Sequence, residues 1–103
     1  MIERNAIIKS ATIDMDDHGV LTAWIQLDYG HSGQGFGGYI LYSPTTKKDC
    51  TGKFLWRVME VIGVSSWSQL VGKAVRVRHD NSTVKSIAQI IGDEWFTPAE
   101  ELV

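Results

Sequence analysis

Five of the ten glycines fall between Gly30 and Gly38, and Gly33, Gly35 and Gly38 satisfy a G-x-G-x-x-G spacing. Loops of that pattern bring backbone N–H groups up to a phosphate, but a dinucleotide site requires the motif to leave a strand and open a helix. Here Tyr39-Ile40-Leu41-Tyr42 follows, which reads as a strand. A kinase-type glycine loop does join two strands, yet the chain is too short and no H-R-D or D-F-G follows. Two readings stand. One is a glycine-rich, bulged strand on which bulky neighbours pack. The other is a binding edge in which Gly33, Gln34 and Gly35 offer main chain to a ligand or partner, with Phe36 and Tyr39 as stacking or anchoring groups.

Other reactive residues stand apart from one another. Asp14, Asp16, Asp17 and His18 crowd one turn and could offer oxygen ligands to a hard cation, but without the spacing of an EF-hand. His31 and His79 have no histidine four residues away and no second cysteine, so no zinc set forms. Cys50 lies near Lys47, Lys48 and Lys53, charges that would lower a thiol pKa, but no base accompanies it. No nucleophile–base pair emerges, so an enzyme is not expected, and neither is a cofactor or metal.

Anion binding is better supplied. Arg76 and Arg78 alternate with Val75 and Val77 and project from one face of a strand. If a hairpin closes tightly at Asp80-Asn81, Lys85 becomes a cross-strand neighbour of Arg76. Like charges opposite each other destabilise a sheet unless acidic residues, solvent or an anionic partner answers them. Trp24 falls on the polar face of its segment, with Thr22 and Gln26. It is either covered by a helix or a partner subunit, or exposed as an interface anchor, a role in which tryptophan is enriched.

The elements that position these residues follow from periodicity. Residues 6–15 alternate, with Ile7, Ala11, Ile13 and Met15 on one side and Lys9 breaking the pattern. Asp16-Asp17-His18-Gly19 supplies turn chemistry, and residues 20–29 alternate cleanly, giving an antiparallel hairpin. Residues 39–42 make a short third strand. Apolar groups at 54, 55, 58, 61 and 62 set a helix over residues 53–62, with Asp49 or Thr51 as cap and Gly63 at its end. Ser66-Trp67-Ser68-Gln69 matches a capping box before a one-turn helix. Strands follow at 73–78 and 83–91, joined by a turn over His79 to Ser82. Trp95-Phe96 is an aromatic anchor, and Thr97-Pro98-Ala99-Glu100 starts a short C-terminal helix with Glu100 as the reciprocal glutamate. The expected fold is one α+β domain over residues 1–103: an antiparallel sheet, order β-β-β-α-α-β-β, with helices packed on one face and the short helix last.

Composition fits a folded chain, with 44% apolar and 21% charged residues. Net charge is −2, yet residues 47–85 hold eight basic and three acidic side chains. That local excess is either a solvated face or a patch for an anion or an acidic protein surface. A single cysteine excludes a disulfide framework and suits a reducing compartment. The first residues lack a signal peptide's basic and apolar regions, and no apolar run approaches a membrane span. The cytoplasm is therefore the expected location. A chain this small has little room for both a core and a private pocket, which favours a homodimer or higher oligomer.

Asp17-His18-Gly19-Val20-Leu21-Thr22, Leu27-Asp28-Tyr29-Gly30 and Gly33-Gln34-Gly35-Phe36-Gly37-Gly38-Tyr39 resemble a family of small proteins from tailed phages and prophages. The match continues through residues 57–64 and Trp67 and closes with Ile90-Ile91-Gly92-Asp93-Glu94-Trp95-Phe96. Related sequences carry a longer, glycine-rich loop where this chain has Thr45 to Gly52. The family is mostly uncharacterised, so the resemblance implies an origin more than an activity. Small accessory phage proteins often bind a host factor, and anti-CRISPR proteins and sponges for nucleotide signals have this size. The resemblance thus implies an inhibitor that binds a host defence protein in the host cytoplasm. The alternative is a sponge for an anionic nucleotide signal, with direct nucleic-acid binding behind both.

Overall fold

Alternation over residues 21–28 collects apolar side chains on one face, and a strand separates the two sets. The computed structural model describes residues 2–30, 33–81 and 83–102 and makes this segment strand β2, Leu21–Asp28, with Ala23, Ile25 and Leu27 buried. His31, weighed above as a metal ligand, and Ser82 of the expected turn lie outside the described residues. The other strands are β1 (Ile2–Met15), β3 (Gly33–Gly37), β4 (Ala74–His79), β5 (Val84–Gln89) and β6 (Trp95–Phe96). They form one antiparallel sheet in the order β3-β2-β1-β4-β5-β6. Helix α1 spans Thr51–Ile62, a 3-10 turn spans Trp67–Gln69, and α2 is the single turn Pro98–Glu101.

The antiparallel α+β sheet agrees with the expectation; its details correct it. The third strand is the glycine segment itself, not residues 39–42, where Tyr42 makes only isolated bridges to Leu21 and Asp49. Trp95-Phe96 pairs with Ala88 and Ile87 and adds a sixth strand. The expected element order therefore fails, and so does the layer of helices on one face: among the described residues one 12-residue helix and two single turns form. Neither Asp49 nor Thr51 is the N-cap of α1, a position taken by Cys50. Gly63 ends that helix with φ +83°, as a C′ glycine does. The glutamate that accepts the Thr97 N–H is Glu101, at 2.9 Å, rather than Glu100.

β1 changes phase along its length. Ala6 and Ile8 are buried and Ile7 is exposed, reversing the expected inward set in this half. A bulge between Ile8 and Ser10 absorbs Lys9 as an extra residue and swaps the faces. Beyond it Ala11, Ile13 and Met15 stand opposite Ile25, Ala23 and Leu21, on the core side. In the turn that follows, the Asp16 carboxylate accepts the N–H groups of His18 (2.8 Å) and Val20 (3.0 Å).

Three phenylalanines from distant elements centre the core. Phe36 of β3 lies 6.1 Å from both Phe54 of α1 and Phe96 of β6, and all three are fully buried. Among the described residues no helix is long and apolar enough to cross a membrane.

Arg57 ties the C-terminal segment to α1. Its guanidinium, 13% exposed, pairs with Glu60, Glu94 (2.8 Å) and Glu101 (2.8 Å) and donates to the Trp95 carbonyl at 3.1 Å. Burial of Glu101 works against its charge, but the Thr97 N–H and the Arg57 guanidinium outweigh it and hold the carboxyl below its usual range. The folded state therefore binds fewer protons at this group than the unfolded state. Its stabilisation is complete above the ordinary glutamate value of about 4.3 and is lost as pH falls through the lower folded value. Melting followed across acid pH should show that loss, and Glu101→Gln should flatten it. An unchanged acid profile in the variant would remove Glu101 from this role.

Candidate binding site

The outer face of the sheet carries one large aromatic on bare backbone. Trp24 stands on β2 between Thr12 of β1 and Gly37 of β3, and its indole lies across the glycine strand. A Cβ at Gly35 would sit 2.7 Å from Trp24 Cε3, and one at Gly38 would collide with the same ring. Gly37 has φ +124°, a conformation side chains rarely adopt, and a Cβ there would strike the Ala23 carbonyl. The glycines are thus a seat for Trp24, and the indole supplies the side-chain packing that their own residues lack. The ring remains 40% exposed.

β3 and β5 approach each other across the open seam of the curled sheet. A cleft of about 230 Å³ lies there, lined by Trp24, Gly35, Tyr39, Thr83, Val84 and Lys85. Four sequence candidates, Trp24, Gly35, Tyr39 and Lys85, therefore meet in one place. Burial pushes the Tyr39 hydroxyl pKa up, so it stays a neutral donor. The Lys85 ammonium is 3.9 Å from the Asp80 carboxylate and remains half exposed. The arrangement offers a half-exposed indole in a cleft that Tyr39 and Lys85 also line. Such a surface takes a partner's planar or aliphatic group on the ring and an anionic or carbonyl oxygen beside it.

The remaining candidates lie elsewhere. Phe36 is core and cannot act as an exposed stacking group. Gln34 accepts the Tyr29 hydroxyl at 3.3 Å, and Gly33 pairs with Asp28 at the start of β3. Arg76 and Lys85 are not cross-strand neighbours. Arg76 stands opposite Ala88 and Arg78 opposite Ser86, because the hairpin closes between Asp80 and Thr83 with His79 opposite Val84, and a bulge between Arg78 and His79 shifts the register once more. Both arginines are answered within the chain. The Arg78 guanidinium sits 3.8 Å from the Trp95 ring centroid and that of Arg76 5.1 Å. Glu3 lies within 3.8 Å of each, and Arg76 donates to the Gly92 carbonyl at 2.8 Å. The expected lowering of the Cys50 pKa is also reversed: burial pushes the thiol up, and the Asp49 carboxylate adds to it.

Sequence reading missed a cluster at the far end of the sheet interior. Tyr29 stacks on His79 with ring centroids 5.3 Å apart, and the Arg4 guanidinium lies 5.4 Å from the Tyr29 ring. The signal was available in the alternation, which puts Tyr29 on the face of Leu27 and Ile25. Compared with known proteins, the chain matches no family model, no curated protein and no solved structure.

Proposed function

We propose that this protein acts by binding and that Trp24 anchors the contact. The observation that supports it is the indole seated on Gly35 and Gly38 with two-fifths of its surface left open. A core tryptophan does not need to be displayed, and a mobile one would not need a strand of glycines cut to its outline. A rigid exposed aromatic gives contact area at little entropic cost, which is the character of an interface hot spot. The phage resemblance supplies the partner class: a defence protein of the host, blocked by occupation of its surface. No chemistry by the chain itself is part of this reading.

Tyr39 and Lys85, which line the same cleft as Trp24, favour a second reading, the sequestering of an anionic nucleotide signal. The two differ in a melting experiment. A nucleotide at a hundredfold excess over Kd stabilises the folded chain by about 2.7 kcal/mol; a protein-directed inhibitor gains nothing from it.

The principal test is capture from host lysate by immobilised protein, with a dissociation constant measured for whatever is retained. Trp24→Ala should weaken that binding at least about thirtyfold, the ~2 kcal/mol of a hot-spot truncation. Lys9→Ala, a control on an exposed bulge, should leave it unchanged. Equal binding by wild type and a folded Trp24→Ala would remove the anchor from the proposal.

A further inference from the structure

β1 is covered on one side for only part of its length. β4 pairs with Ile2–Ile7, and Ile8 closes the ladder by bonding to the Lys73 carbonyl (2.9 Å) and the Gly72 N–H (2.8 Å). Beyond Ile8, among the described residues, β2 alone pairs with the strand. Directly opposite residues in an antiparallel pair either bond each other or both point outward. Leu21, opposite Met15, bonds away from β1 to Leu41 and Tyr42, and Ala23, opposite Ile13, accepts the Gly38 N–H. Ile13 and Met15 therefore direct their N–H and C=O groups out of the sheet edge, and Ala11 shares their phase. Among the described residues none of the three has a backbone partner on that side. Their side chains share the core face, yet Ile13 is 42% and Met15 69% exposed.

We propose that this edge pairs with the same edge of a second copy, antiparallel about a two-fold axis at Ile13. In that register Ile13 faces Ile13 and Ala11 faces Met15, so every outward-pointing residue meets another. Apolar side chains meet apolar ones, and Thr12 stands opposite Asp14. No like charges are opposed. This self-complementarity selects a second copy over an unrelated strand, which would not need a palindromic pattern. An open edge without proline or an inward charge is otherwise a site of uncontrolled pairing. The merged sheet places the two Trp24 side chains one strand from the axis, on its outer face.

Sedimentation equilibrium and disulfide trapping test this directly. Wild type should be a dimer in the micromolar range. Ile13→Lys, checked for folding by circular dichroism, should lower the dimer fraction at least tenfold. In a Cys50→Ser background, Ile13→Cys should form an interchain disulfide under mild oxidation, since bonded opposite residues lie about 5.5 Å apart at Cα, inside the disulfide range. Thr12→Cys, which would face Asp14, should trap at least tenfold more slowly. A monomeric wild type, a dimer that survives Ile13→Lys, or equal trapping at residues 12 and 13 would each overturn the proposal. Trp24→Ala should leave the dimer intact, so this surface and the anchor fail independently.

Discussion

Arg57→Ala should lower the unfolding free energy by about 2 kcal/mol, below the loss for a buried ion pair because the guanidinium is buried while Glu60 and Glu94 are 38% and 61% exposed. The guanidinium is the shared counter-charge of Glu60, Glu94 and Glu101 and the donor to the Trp95 carbonyl, and it lies 5.6 Å from the Phe96 ring. Without it three carboxylates lose their shared cation, and α2 keeps the Lys53 ammonium on the Glu101 carbonyl (2.8 Å) but not its carboxylate tie to α1. Arg57→Lys should recover less than half of the loss, because a point charge cannot reproduce the planar fork. Urea unfolding measures both variants. A loss below about 1 kcal/mol for the alanine variant, the level of a surface pair, would show the cluster to be solvated rather than structural.

Gly37→Val should leave little folded protein. Positive φ alone costs roughly 1–3 kcal/mol for a branched residue, and the new Cβ would meet backbone that cannot move aside. Gly35→Ala has a different character, because its obstacle is the Trp24 ring. Alone it should destabilise; in a Trp24→Ala background the same change should be nearly neutral, with a coupling of about 1–2 kcal/mol. Gly52→Ala, in helix α1 with open space around it, should stabilise by about 0.5–1 kcal/mol. Additive effects of Trp24→Ala and Gly35→Ala in denaturant unfolding would refute the picture of a seat cut for the indole.

Where side chains alternate, the strands could be read from the sequence: residues 21–28 placed their own core and also placed Trp24 on the outer face. β3 stood open to two readings, because glycines carry no pattern and have low strand propensity; the glycine-rich strand with a bulky neighbour packed on it is the one that forms. Its ladder with β2, the buried Phe36 and the Trp24 ring hold it, and the partners of Phe36 lie far along the chain. Local irregularities decided two further placements. Lys9 in β1 moved Ile7 to the outside, and the hairpin closing at Asp80 and Thr83, with the bulge after Arg78, separated Lys85 from Arg76. Of the answers open to Arg76 and Arg78, acidic residues supply one: Glu3, far along the chain, and Asp93, with the Trp95 ring beside them. Phe36 looked available because Phe54 and Phe96, which enclose it, are equally remote. Trp24, Tyr39 and Lys85 were singled out individually, but only the curl of the sheet brings them to one cleft.

The division of β1 between two partners also governs the order of assembly. Its second half pairs with β2 across a short turn, and β3 adds locally, so that hairpin can form as soon as it leaves the ribosome. The first half must wait, since Ile2 pairs with His79 and Ile7 with Ala74. Until β4 emerges, Ala6 and Ile8 have no core to enter. Closure of so long a loop precedes its reward, which places folding toward the millisecond-to-second end for a domain of this size. The nascent chain therefore carries the first half of β1 without its β4 partner until residues 74–79 are made.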